Sequence, residues 1–266
     1  MKHLLTLAAL VFATACFGQE DCELSYDGNG DGIVSAADLI GLLAEFGSEC
    51  LPDTTFDCGE TLEYQGYEYA TVLIGEQCWF AENLRVGSYQ NGDSIPANLS
   101  NSEWENTPFG ALAVYDEDAF YLETYGLLYN WYAVTDLRGL CPNGWHVSTD
   151  EEWITMEMTL GMSEAEANDI EWRGTDQGTQ MKASPSDNPG WNGTNTSGFS
   201  GLTGGRRASD GNFYSGGFNG DWWTSSPSPG CCYGWFRLLA DTYEDVYRGT
   251  SNPHKGYSVR CVRDDD

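Results

Sequence analysis

Cys141-Pro142-Asn143-Gly144-Trp145-His146-Val147-Ser148-Thr149-Asp150-Glu151-Glu152-Trp153 carries a strand followed by a helix start. Ser148 or Thr149 serves as the N-cap, and the acidic residues behind it suit the positive end of the helix. Glu152 stands where it can reach back to the cap, so orphan N–H groups of the first turn gain acceptors. A second, shorter start follows at Ser163-Glu164-Ala165-Glu166. Cys141, on the strand before the main helix, is expected to pair with Cys261 in a closing strand, Tyr257-Ser258-Val259-Arg260-Cys261-Val262. Such a bridge closes a long loop and strongly restricts the unfolded chain. Helices set among short strands give an α+β class.

Outward from this stretch, the chain is rich in turns. It has 266 residues, with 32 Gly and 9 Pro, which favours short strands over long helices. Tyr64 to Gly75 alternates in character and is expected to form a hairpin. Tyr125 to Val134 is aromatic-rich, and its periodicity fits helix and strand equally. Gly174 onward reads as turns and short strands. Residues 53–266 form one large domain behind a short linker at Leu51-Pro52-Asp53-Thr54-Thr55.

The start of the chain has another character. Met1-Lys2-His3 and the apolar run Leu4 to Ala15 read as a secretory signal over 1–18, with cleavage after Ala15 or after Gly18. A lipid-bearing alternative runs through Cys16. The apolar run is too short to span a bilayer, and no other is longer. Residues 19–52 hold oxygen donors spaced by glycine: Asp27, Asn29 and Asp31, then Gly32, the carbonyl of Ile33, Ser35 and Asp38. Calcium, a hard cation, takes several such oxygens, and Gly32 permits the sharp turn. An apolar helical stripe, Leu39, Leu42, Leu43 and Phe46, follows.

In an oxidising compartment the cysteines after the signal are expected as disulfides. Cys22–Cys50 brackets the calcium loop and Cys58–Cys78 closes the first hairpin, beside Cys141–Cys261. Cys231 and Cys232 are left as a vicinal bridge or two thiols.

A formal net charge of −29, from 12 basic and 41 acidic residues, repels phosphate backbones and anionic bilayers. Nucleic acid and membrane surfaces are therefore poor partners. The same charge fits cation affinity or a solubility adaptation equally. No GxSxG, HExxH or phosphate-cradling loop is present. His146 is expected to be a hydrogen-bonded structural residue. Phe213 and Tyr214, in a Gly-rich stretch, are expected to be exposed and to contact a ligand, whereas Trp222 and Trp223 are expected in the core.

Two resemblances rest on these residues. Asp27 to Asp38 with its following helix resembles the calcium loop of dockerin modules, although dockerins carry two such loops and this chain carries one. The larger part resembles the Fibrobacter succinogenes major paralogous domain family. The similar stretches are Tyr69 to Gly75 with Cys78-Trp79-Phe80-Ala81-Glu82-Asn83-Leu84-Arg85, then Tyr125 to Val134, then Cys141 to Trp153. Trp222-Trp223-Thr224-Ser225-Ser226 and Tyr257 to Asp264 complete the series. The resemblance implies a C-type-lectin-like domain. The sugar-coordinating triplets of lectins have no counterpart in Asn188-Pro189-Gly190, Asn252-Pro253-His254 or Trp191-Asn192-Gly193, so no sugar ligands are carried over. The combined expectation is a secreted or cell-surface, calcium-binding, non-enzymatic module for an extracellular glycan or surface protein. The alternatives are an accessory part of polysaccharide degradation docked through the calcium loop, and an enzyme with an unrecognised site.

Overall fold

The computed structural model describes residues 56–264 apart from residue 231. The expected signal 1–18 and calcium-loop unit 19–52, with Asp27, Asn29, Asp31, Ile33, Ser35, Asp38, Cys22 and Cys50, lie outside the described residues. So does Cys231.

The described chain is mixed, with mostly antiparallel sheets and a few short helices. β1 (Thr61–Tyr64), β2 (Tyr67–Ile74) and β3 (Gln77–Phe80) form a meander. The expected hairpin over Tyr64 to Gly75 is thus corrected. The first reversal falls at Gln65-Gly66, both with positive φ, and Tyr67–Ile74 runs on as one strand. Glycine tolerates this left-handed backbone without penalty, which places the turn two residues after the expected hairpin begins. The disulfide Cys58–Cys78 ties the chain ahead of β1 to β3.

β6 (Trp145–Val147) and β14 (Cys261–Arg263) complete this first sheet in the order β1-β2-β3-β14-β6. The last strand lies between β3 and β6, and Cys141–Cys261 fastens its end. β7 (Glu171–Arg173), β10 (Asn219–Pro227), β11 (Gly234–Ala240) and β12 (Val246–Ser251) form a second sheet. The third joins β4 (Leu112–Ala113), β5 (Leu128–Asn130), β8 (Arg206–Arg207), β9 (Phe213–Tyr214) and β13 (Gly256–Tyr257).

Six α-helices accompany them among the described residues. These are α1 (Asn101–Asn106), α2 (Ala119–Tyr125), α3 (Trp131–Val134), α4 (Asp150–Thr159), α5 (Glu164–Asn168) and α6 (Gln177–Met181). Thr149 and Glu152 form a full capping box on α4, and Ser163 and Glu166 form one on α5. The aromatic-rich segment Tyr125 to Val134 resolves as both classes. It ends α2, forms β5 and turns into α3, because the Asn130 carboxamide caps α3 by accepting from Ala133 N–H.

Two further expectations are corrected. The closing segment is two strands, β13 and β14, in different sheets. Between them Ser258 exchanges backbone hydrogen bonds with Asp221 and Trp223 of β10, which carries the chain from one sheet to the other. The segment after Gly174 holds the helix α6 and the nine-residue strand β10, more regular structure than turns and short strands.

The core gathers Trp79, Trp153, Phe199 and Trp222. Ring centroids lie 5.4 Å apart for Trp79–Trp153, 5.2 Å for Trp153–Phe199 and 5.6 Å for Phe199–Trp222, all edge to face. Loss of any one of these indoles would cost about 3–5 kcal/mol. Asn83 is the polar centre beside them. Its carbonyl accepts from Trp222 Nε1 and Arg260 Nε, each at 2.8 Å, and its amide donates to Tyr125 O and Ser258 Oγ. Arg260 spends its remaining donors on the carbonyls of Phe80, Phe199 and Ser200. Burial pulls its pKa down to about 9. With four acceptor oxygens around it, the buried guanidinium is satisfied without a carboxylate.

α4 meets the second sheet through an ion network. Asp150 accepts from Arg237 Nη1 and Arg248 Nη2, each at 2.7 Å. Glu157 accepts from Arg237 Nε at 2.7 Å and from Arg173. Burial pushes the Asp150 carboxyl up, but the hydrogen bond from Arg248 and the charge of Arg237 outweigh it and hold it below its ordinary value.

Candidate ligand-binding site

The quoted sequence motifs go mainly into this frame. Trp79, Asn83, Trp153, Trp222, Trp223 and Arg260 are buried, so the residues that carry the resemblance hold the domain together. Glu82, Arg85 and Tyr125, from the same motifs, instead line a cleft.

One cleft, of about 400 Å³, is lined by Gln90, Asp136, Trp145, His146 and Ser225 among others. His146 is its most conspicuous group. Its Nε2 lies 2.6 Å from Glu152 Oε1 and its Nδ1 2.5 Å from Asp264 Oδ1. The bond to Glu152 dominates, burial opposes it and Asp264 adds to it, which raises the imidazole to about 9. With both nitrogens occupied by carboxylates, His146 has no N–H for a substrate and no lone pair for a proton. It is hydrogen-bonded through both ring nitrogens.

The second cleft, of about 270 Å³, is lined by Glu82, Arg85, Glu123, Tyr125, Asp187 and Asn188 among others. Arg85 donates to Glu82 Oε2 at 2.6 Å and to the Glu123 carbonyl. Tyr125 belongs to this cleft and also ends a run of aromatic rings. Its ring stacks on Tyr121 with centroids 5.6 Å apart and planes 6° apart. Tyr121 meets Tyr115 at 5.4 Å, and Tyr115 meets Phe213 at 5.5 Å. Phe120 flanks the run beside Tyr121 and is 68% exposed.

The run exists because α2 carries Tyr121 and Tyr125 one turn apart, so their rings share a face. Asp118 caps α2 by accepting from Phe120 N–H. No residue of α2 is fully buried, so the helix lies on the surface; Phe120 is exposed, whereas Tyr121 and Tyr125 are half-buried.

Tyr214, on β9, is 47% exposed as expected. Phe213 is corrected. It is half-buried, packs against the cluster of Trp104, Ala111 and Ala113, and lies 5.0 Å over the guanidinium of Arg207. Exposure alternates along a strand, and only one of two neighbours on β9 can face outward. Trp191 is buried and Trp235 half-buried. Tyr115, Phe120 and Tyr121 were missed in the sequence, and Glu82, Arg85 and Tyr125 were quoted there only as motif residues. Their signal is the alternation of aromatic and acidic residues in Tyr115-Asp116-Glu117-Asp118-Ala119-Phe120-Tyr121-Leu122-Glu123-Thr124-Tyr125.

Asp221 is the other unusual group. It is 1% exposed, neither carboxylate oxygen has a hydrogen bond, and Arg206 Nη1 is 3.5 Å away. Burial raises it to about 6, against the pull of Arg206 and Lys255. It lines neither cleft described above. Among the described residues no group of three or more His, Cys, Asp or Glu is arranged to hold a metal ion. No helix among them is long and apolar enough to cross a membrane.

No curated protein and no solved structure matches this chain. The profile of the Fibrobacter succinogenes major domain matches residues 72–263, from β2 to β14. That span is well over half of the 266 residues, and the chain belongs to the Fibrobacter succinogenes major domain family.

Proposed function

We propose that this protein is an extracellular, non-enzymatic binding module that holds a glycan along the Tyr125 cleft and its aromatic run. The observation that carries this reading is the continuity of a polar cleft with the rings of Tyr125, Tyr121 and Tyr115. Sugars present both C–H faces and hydroxyls, and such a surface offers partners to each. The disulfides Cys58–Cys78 and Cys141–Cys261 fit an oxidising compartment, as secretion through residues 1–18 requires. A C-type-lectin-like architecture is part of the same proposal, supported by small antiparallel sheets around one two-to-three-turn helix.

The test is binding of the mature protein to immobilised polysaccharides. Replacing Phe120 by Ala should weaken attachment about tenfold while the melting temperature stays nearly unchanged, since it is a surface residue. Release of reducing ends that one carboxylate substitution abolishes would instead make the protein an enzyme and end this reading.

Calcium enters through Asp27, Asn29, Asp31, Ile33, Ser35 and Asp38. Calorimetry should give one calcium site per chain, lost when Asp27 and Asp31 are replaced by Ala. Undiminished binding in that variant would refute the assignment. Folding of the loop should depend on the metal, because its carboxylates repel one another without it.

A further inference from the structure

We infer that the Tyr125 cleft and its aromatic run select amine-bearing glycans, chains with free protonated amino groups, over neutral or acidic ones. This rests on the glycan-binding reading and names the chemical class that the site prefers.

The inference comes from which charges reach a ligand. Glu123 and Asp187 line the cleft. Asp116 follows Tyr115 directly, and Asp118 caps the helix that carries Phe120, Tyr121 and Tyr125. The Ser184 backbone N–H holds Asp187 below its ordinary carboxylate range, so it is ionised in any mild buffer. No ion pair engages Asp116, Asp118, Glu123 or Asp187 among the described residues.

The neighbouring cations are buried or face a carboxylate. Arg85 is bonded to Glu82 and to the Glu123 carbonyl, with its side chain only 12% exposed. Arg206 faces the buried Asp221 at 3.5 Å. Arg207 is fully buried, between Trp104 at 4.5 Å and Phe213 at 5.0 Å. A ligand therefore meets carboxylates and ring faces, and little positive charge.

Each ligand class fares differently on such a surface. A uronate or sulfated chain is repelled at every residue. A neutral chain gains ring contacts and hydrogen bonds alone. A protonated amine adds charge-assisted hydrogen bonds to the carboxylates and attraction to the tyrosine faces.

The experiment compares three probes by calorimetry with the full mature chain at mildly acid pH: a glucosamine hexamer, its N-acetylated counterpart and an oligouronate of equal length. The glucosamine hexamer should bind at least about tenfold tighter than the acetylated one. The gap should close as salt is raised. Replacing Asp116 by Asn and Glu123 by Gln should weaken the glucosamine hexamer about fivefold, and more than it weakens the acetylated hexamer. Equal binding of both hexamers, or preference for the oligouronate, overturns the inference while the glycan reading stands. Amine binding that the paired variant leaves intact also overturns it, because the attraction then belongs to the general field of the chain. If none of the probes binds, the glycan reading falls and this inference falls with it.

Discussion

His146 lies between Glu152 and Asp264, at 2.6 and 2.5 Å, and this places a pH dependence on a single side chain. Its folded pKa, about 9, exceeds the unfolded value near 6.5. The stabilisation is therefore fully present below about 6.5 and is lost as pH rises through about 9. Glu152 behaves in the opposite sense. Burial raises it, but the bond to His146 and the Thr149 N–H prevail and lower it. Its contribution is present above the unfolded carboxylate value and is lost as pH falls through the lower folded one. The urea midpoint of the wild type should fall between pH 7 and 10 more steeply than that of His146→Gln. Identical slopes, or an imidazole titrating near 6.5 by NMR, would remove the triad. The part of Glu152 in the capping box was legible because cap and carboxylate are three residues apart. Its bond to His146, and the arrival of Asp264 from 118 positions away, depend on β14 inserting beside β6, which no local pattern encodes.

At the scale of elements, α4 shows what local chemistry can and cannot tell. Its start was legible from Thr149 and the acids behind it. Its buried face was not, since Asp150 and Glu157 point inward with Trp153 and Met156, and acids in a first turn ordinarily face water. They are buried because β7, β11 and β12 bring Arg173, Arg237 and Arg248 to meet them. Removing one partner from such a network leaves buried charge without compensation. Asp150→Ala should therefore cost about 3–5 kcal/mol, against about 1 kcal/mol for the cap variant Thr149→Ala. Urea denaturation of both distinguishes them, and equal losses would mean that the network contributes no more than a cap. The strand β2 shows the converse. Its alternation was legible, but the position of its turn was set by two positive-φ residues at Gln65-Gly66.

At the scale of the molecule, the family frame was legible from five motifs in order, because those motifs are the core and its polar hubs. The proposed ligand surface was not, since the run from Tyr115 to Tyr125 meets Phe213 only through the third sheet. The frame also has a consequence for proteases. At least six of the chain's 12 basic residues, namely Arg173, Lys182, Arg207, Arg237, Arg248 and Arg260, are buried. Among the described residues Arg138 alone of the arginines and lysines is exposed. It stands beside the fully solvated Leu137 in a tight turn that ends at Gly139. Trypsin, which requires an accessible basic side chain, should thus find the folded domain almost uncuttable. Brief digestion should give one first nick, after Arg138. Cys58–Cys78 and Cys141–Cys261 fall on opposite sides of that nick. The two pieces should therefore stay together in native buffer and part in detergent without any reductant. Early cleavage after Arg237 or Arg248 would show instead that the second sheet opens readily.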